Sequence, residues 1–393
     1  MDDDRSTVDR AIHAAQALLA RTDPALTLIL SERLSAPGLR NVVIRCQLIG
    51  TPDSDRTVIV KQHAIDGDSN PNDPFDPRQR WINDAAGLTF LNAIATNPRV
   101  CPRVIALDSP QRLIVLEDMQ PAARIVDLLH GQDVRVAENA LDALARTLGQ
   151  QHASSFGRRA EYDAIRLRLA TTPAASSHPW AFAFERAMPF VLRLDDVVGI
   201  KLAADLSSEL DAVLDAIHNP GPFLAFIHGD PCPDNCLAGE SVATLIDYEL
   251  GGFGHALLDV AHARMILPTC GKPAAIPPET ISVMEDTHRY WFAQASEAAG
   301  DRDHYGDALT DACAAWLIYT LAATLEQALG ATTSADQTVI RKQILGRLHA
   351  FVQVSTQHQH LLATRDMTQQ TFDNLAERWP DVPRAVERFA AFS

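Results

Sequence analysis

The segment 227–250, IHGDPCPDNCLAGESVATLIDYEL, limits what this chain can fold into more than any other. A short apolar run, Leu224 to Ile227, leads into His228-Gly229-Asp230, and Asn235 follows five positions after the aspartate. A second apolar run, Ala243 to Ile246, delivers Asp247, with Gly251 and Gly252 just beyond. Runs of this length bounded by turn residues read as short buried strands. Pro231 and Pro233 restrict the intervening loop and keep it out of helix. The pattern predicts two short strands that present Asp230, Asn235 and Asp247 from loops. Asp, Asn, Pro and Gly are also ordinary turn formers, so no single letter here carries weight. The ordered set does, because a motif rests on its whole context.

The set matches the needs of phosphoryl transfer. One carboxylate can accept a proton from a substrate hydroxyl, while an amide oxygen and a second carboxylate can hold Mg²⁺ against a triphosphate. Magnesium takes hard oxygen ligands, usually one or two carboxylates, and fills its shell with phosphate and water.

These residues resemble the aminoglycoside phosphotransferase and choline kinase-like family, small-molecule kinases built on the protein-kinase fold. The family pattern, H-G-D-x-x-x-x-N, then I-D-[WY]-E, then Gly and D-[LV]-A, reads here as His228-Gly229-Asp230, Asn235, Ile246-Asp247-Tyr248-Glu249, Gly254 and Asp259-Val260-Ala261. Two positions depart from it: Asp234 stands where Gly is frequent, and His255-Ala256 where Asp-Pro is frequent. The resemblance implies an α+β, protein-kinase-like fold of two lobes. A small β-rich lobe would span residues 1–119, and a larger, mainly helical lobe residues 120–393. It implies ATP or GTP with Mg²⁺ as cofactors, Asp230 as catalytic base, and Asn235 and Asp247 as metal ligands. His228 is expected to hold the catalytic loop by a hydrogen bond. Glu249 stands either behind the site or against substrate.

Other segments extend the resemblance. Val58-Ile59-Val60-Lys61 is similar to the kinase strand whose lysine pairs with the α- and β-phosphates. A lysine guarding an edge strand explains Lys61 equally well when taken alone. The helix predicted from about Gln79 to Ile94 carries Asp84-Ala85-Ala86 where family members usually have Glu-Ala-Ala, so Asp84 is the expected partner of Lys61. Aspartate is one methylene shorter, so the helix must lie closer or water must bridge the pair. Leu113 to Leu116 predicts a buried strand, and Glu117-Asp118-Met119 resembles the hinge whose backbone, at Glu117 and Met119, would contact adenine. Ser35-Ala36-Pro37-Gly38 stands where a kinase places its phosphate-covering loop, and a plain hairpin turn accounts for it as well.

Elsewhere, residues 5–20, 138–156 and 201–217 have helical spacing, and long helices are expected over 278–299, 305–329 and 334–364, with two shorter ones after. Residues 66–78 read as an exposed loop. Trp180, Phe182 and Phe184 mark either a substrate-side insertion or core.

Composition narrows the function. The formal net charge of −16 argues against nucleic acid as a partner, since phosphate neutralisation needs a basic surface. It suits a cationic, hydroxylated small-molecule substrate, which an acidic surface attracts. No run reaches the roughly 18 uncharged apolar residues of a membrane span, and the acidic start Met-Asp-Asp-Asp-Arg is unlike a secretory signal, so the cytoplasm is the expected location and no membrane partner is expected. Six cysteines in 393 residues do not suggest a disulfide framework; buried free thiols are expected. Two other readings stand beside the kinase: a zinc site from His228, Cys232, Cys236 and His255, and a kinase fold that binds without turnover. Macrolides and other small metabolites compete with aminoglycosides and amino alcohols as acceptors.

Overall fold

Strict alternation of buried and less buried side chains along Val42–Ile49 is the signature of a strand with one face on a core. In the computed structural model it lies inside a five-stranded antiparallel sheet. The strands are β1 (Thr27–Arg33), β2 (Val42–Ile49), β3 (Thr57–Gln62), β4 (Val104–Asp108) and β5 (Leu113–Glu117), in the order β1-β2-β3-β5-β4. The structure describes residues 2–36, 39, 41–50, 56–64, 70, 73–94, 96, 98–170, 178–271, 273–330 and 335–393. Pro37, Gly38 and residues 66–69, 71 and 72 of the predicted 66–78 loop therefore fall outside the described residues.

One compact unit comprises Met1–Ala123, Arg158–Ser176 and Thr244–Gly251; the other comprises Arg124–Gly157, Ser177–Ala243 and Gly252–Ser393. In the first, helix Asp2–Ala20 lays Val8, Ala11, Ala15, Leu18 and Leu19 on Leu28, Ile44, Cys46, Val58, Val60 and Val115 of the sheet. Gln16 ties helix to sheet through Leu26 O and Leu28 N, both at 2.6 Å. Helix Pro77–Ala93 begins at Asp76, whose carboxylate accepts the Arg78 N–H at 2.8 Å, a side-chain cap for an otherwise orphaned donor. Because β3 is interior, with Lys61 opposite Val43 on one side and Ile114 on the other, the edge-guarding explanation of Lys61 is excluded.

The second unit is helical apart from short strands. Strand Leu224–Ile227 pairs antiparallel with Gly252–His255; Gly252, expected in a turn, starts that strand. Helix Val134–Ser155 grips the first of these strands at its buried end. Gln151 Nε2 donates to Phe226 O at 3.1 Å, and Ser155 Oγ accepts Phe226 N–H at 3.0 Å. A Cβ at Gly149 would lie 2.8 Å from His288 O and Trp291 Cβ, so glycine lets this helix approach Pro278–Phe292 closely. Helix Arg302–Leu329 is long and apolar enough to cross a membrane by length and composition, yet most of that stretch is buried inside the unit. The helix predicted over 334–364 is two: Ala335–His358 and Leu362–Arg378. Gln359 and Leu361 break it with φ of 53° and 57°, a region hostile to helix propagation. Trp180 and Phe184 are core, packed on Trp316 with ring centroids 4.6 and 5.4 Å away.

The architecture is the expected α+β one, a small antiparallel sheet with a larger helical unit.

Candidate active site

In the sheet unit the site grows around one buried carboxylate. Asp84 Oδ2 accepts from Lys61 Nζ at 2.6 Å and contacts His63 Nε2 at 3.1 Å, while Oδ1 accepts the Tyr248 N–H at 3.0 Å. The shorter aspartate thus reaches the lysine directly, and no bridging water is needed. Lys61 Nζ also lies 2.5 Å from Asp247 Oδ1. Burial opposes the lysine's charge, but the carboxylates of Asp247, Asp84 and Glu249 outweigh it and hold the ammonium above its ordinary range. Burial likewise penalises the charge on Asp84; Lys61 and His63 overcome that and keep the carboxyl below its ordinary range. Desolvation holds His63 low, and opposite charges in hydrogen-bond reach explain the rest.

Asp247 has φ of 68°, a conformation uncommon outside glycine, and its side chain stays 38% exposed against 7% for Lys61. Residues held in sparsely populated conformations gather at functional sites. Glu249 is engaged on both oxygens, by Arg80 Nη1 at 2.7 Å and Asn41 Nδ2 at 3.2 Å. These bonds tie it to helix Pro77–Ala93 and to Asn41.

Glu117 carries its charge outward to Arg99 at 2.6 Å and Arg103 at 3.2 Å. The Arg99 hydrogen bond, the largest cause, brings its pKa down to about 2. Its backbone N–H donates to Arg103 O at 2.9 Å. Met119 O accepts from Ala122 N–H at 3.2 Å, and Met119 N–H has no hydrogen-bond partner among the described residues.

In the helical unit, strand Leu224–Ile227 runs into a turn at Gly229, with φ of 80°, where a side chain would be strained. Three groups hold this turn. Asp259 accepts the N–H of His228 at 2.7 Å and of Gly229 at 2.9 Å. Trp180 Nε1 donates to Gly229 O at 2.5 Å. His228, fully buried, accepts the Asp230 N–H on Nδ1 at 3.3 Å. Asp259 is backed by His152 Nε2 at 3.3 Å, whose Nδ1 meets His288 Nε2 at 2.8 Å.

The turn delivers Asp230. Asn235 Nδ2 donates to Asp230 O at 3.1 Å and lies 3.4 Å from Oδ2. Asn235 Oδ1 has no hydrogen-bond partner among the described residues. That amide oxygen and the partly exposed Asp247 carboxylate are hard donors whose chemistry fits magnesium.

Two residues that no sequence motif marks stand beside Asp230. Thr269 Oγ1 lies 2.5 Å from Asp230 Oδ1 and 2.6 Å from His262 Nε2. Both follow the D-V-A motif, in a stretch without repeat or spacing to single them out. The free-thiol expectation holds for Cys236 and is corrected for Cys232, which forms a disulfide with Cys270; Cys46, Cys101 and Cys313 are likewise free and buried. The anticipated zinc ligands are not gathered. Among the described residues, the group of His, Cys and carboxylate ligands within 4.8 Å of one another is Cys232, His262 and Cys270, and its two sulfurs are bonded to each other.

The family model for phosphotransferase enzymes matches residues 51–276, more than half of the chain. No curated protein matches. Among solved structures, a choline kinase from Cryptosporidium parvum Iowa II is 10% identical with a TM-score of 0.50, covering 92% of this chain and 99% of that one. A choline/ethanolamine kinase family protein from Mesorhizobium loti is 14% identical, TM-score 0.48, covering 91% and 99%. A macrolide 2′-phosphotransferase from Brachybacterium faecium is 14% identical, TM-score 0.48, covering 84% and 96%. At such identities structural likeness speaks to fold alone; the family model speaks to lineage. The chain belongs to the phosphotransferase enzyme family and is a small-molecule kinase on a protein-kinase-like fold.

Proposed function

We propose that this chain transfers the γ-phosphoryl group of ATP to a hydroxyl of a small cationic acceptor, an amino alcohol or aminoglycoside. The observation that carries the reading is the Asp230 carboxylate, 26% exposed, on a loop that Asp259, Trp180 and His228 hold by hydrogen bonds. Asp230 orients the acceptor hydroxyl and takes its proton as the acceptor oxygen bonds to phosphorus and the bond from the γ-phosphorus to the bridging oxygen breaks, releasing ADP. Lys61, kept charged by Asp84, pairs with the α- and β-phosphates. Asn235 Oδ1 and Asp247 are the metal ligands, and Met119 N–H is a donor for adenine. Bound Mg²⁺ supplies neutralisation of charge developing on the phosphate oxygens. Such preorganised charge is the main lever available to a phosphotransferase, since the transferred group needs little covalent help.

The preference for a cationic acceptor rests on the net charge of −16, which raises the local concentration of cations. The cytoplasm remains the proposed location. A thermal-shift screen with MgATP and choline, ethanolamine, kanamycin or erythromycin, followed by measurement of ADP release, tests the assignment. Turnover with choline, ethanolamine or kanamycin, abolished in Asp230→Ala, supports it. Turnover with erythromycin alone moves the acceptor to the macrolides. Nucleotide binding without turnover across a wide acceptor panel makes the chain a binding module.

A further inference from the structure

The side chains around Asp230 form a directed chain of hydrogen bonds that the phosphotransfer mechanism does not use. We propose that Thr269, backed by His262, is a positioning residue that fixes which oxygen of Asp230 receives the acceptor's proton. This rests on the reading of Asp230 as the base.

An ionised carboxylate can only accept hydrogen bonds. The 2.5 Å contact between Thr269 Oγ1 and Asp230 Oδ1 therefore has the threonine hydroxyl as donor, a short charge-assisted bond. With its proton directed at Asp230, the threonine oxygen has lone pairs to offer to His262 Nε2, 2.6 Å away. The histidine must then carry its proton on Nε2. Its surroundings favour one neutral tautomer: the ring is buried, Nδ1 has no partner among the described residues, and burial brings its pKa down to about 3. The order is His262 Nε2–H to Thr269 O, and Thr269 O–H to Asp230 Oδ1. His262 Nε2 itself is 3.9 Å from Asp230 Oδ1, too far for a direct hydrogen bond, so threonine is the necessary link.

The ends of the chain are anchored. His262 meets the Trp316 ring edge-on at 5.7 Å, and Trp316 Nε1 donates to Leu258 O at 2.9 Å. Thr269 precedes Cys270, which is bonded to Cys232, two residues past Asp230. A covalent tie thus joins the segment bearing the threonine to the loop bearing the base. With Oδ1 committed to Thr269, Oδ2 is assigned to the acceptor hydroxyl. Loss of that constraint lets the carboxylate rotate, and misplacement of a reacting group by an ångström costs roughly 100-fold in rate.

Thr269→Val, nearly isosteric, removes the hydroxyl; Thr269→Ser retains it. Both are compared with Asp230→Asn by MgATP consumption with choline, with kanamycin and with water as acceptor, and by crystal structures of the two threonine variants. The expected result is a fall in kcat of about 10- to 100-fold for Thr269→Val, with KM for MgATP within about twofold and a lowered melting temperature, because the buried His262 Nε2–H loses its acceptor, and recovery of most of the rate and of the melting temperature in Thr269→Ser. The Asp230 carboxylate should turn in the valine variant and stay in the serine variant, a readout that stands even if all three acceptors fail. Wild-type kcat in Thr269→Val where Asp230→Asn is inactive overturns the positioning role and leaves the base intact. Full turnover in Asp230→Asn overturns the base itself. Equal damage by valine and serine, with weakened MgATP binding or an undisturbed Asp230, makes Thr269 a structural residue only.

Discussion

Lys61 Nζ lies 2.5 Å from Asp247 Oδ1, so the side chain proposed to meet the nucleotide phosphates and the one proposed to meet their metal neutralise each other here. Asp84 holds the lysine from a second direction at 2.6 Å. When a cation takes Asp247, the lysine keeps a buried anionic partner and stays charged.

Removing the lysine should therefore harm both stability and binding. Lys61→Met leaves Asp84 buried without its ammonium, held by His63 and the Tyr248 N–H. Stripping one partner from a buried pair costs about 3–5 kcal/mol. Urea denaturation should register that loss, and MgATP titration should show much weaker binding. Unchanged midpoints in both would remove the lysine from its assigned place.

Asp230→Asn keeps size and polarity but cannot accept a proton. General base catalysis contributes about 10²–10⁴-fold, so kcat should fall within that range while the melting temperature barely moves. A variant within a factor of about three of wild type would refute the base assignment.

The disulfide between Cys232 and Cys270 closes a separation of 38 residues. A cross-link of that span stabilises by about 2–4 kcal/mol through the constrained unfolded chain. Cys270→Ser should lower the urea midpoint to match, and a reducing agent should lower the wild-type midpoint to the variant's level. Equal midpoints with and without reductant would show that the bond contributes nothing in solution.

Acid sensitivity should begin above the carboxylate range. Burial is the leading cause that lowers the pKa of His255 to about 4 and of His262 to about 3, and His288 lies well below its ordinary value. In the unfolded chain each titrates near about 6.5. Between that value and the folded one, the unfolded state binds protons that the folded state refuses, so stability falls as pH drops. Each histidine steepens the fall by up to about 1.4 kcal/mol per pH unit. Denaturation midpoints at pH 7, 6 and 5 should decline steadily; a flat profile over that range would mean these rings are protonated in the folded protein.

Much of the site is legible in the order of residues along the chain. Motif order, and the family resemblance it carries, point to a small-molecule kinase, because phosphoryl transfer needs specific oxygen donors in sequence-local loops, and Pro231, Pro233 and Gly229 shape such a loop by their own backbone limits. Strands β2, β3 and β5 follow from apolar runs and alternation. The tertiary fold decides the rest. Lys61 suits an edge strand equally well by its local sequence, and only β5 lying beside β3 excludes that. Glu249 meets Arg80, 169 positions away, through a hydrogen bond that no local pattern names. Cys232 meets Cys270, and Asp230 meets Thr269 and His262, through approaches that no local periodicity encodes. Local patterning is written by the chain's own dihedral and burial preferences, whereas hydrogen bonds and cross-links between distant segments exist only once packing has brought them together.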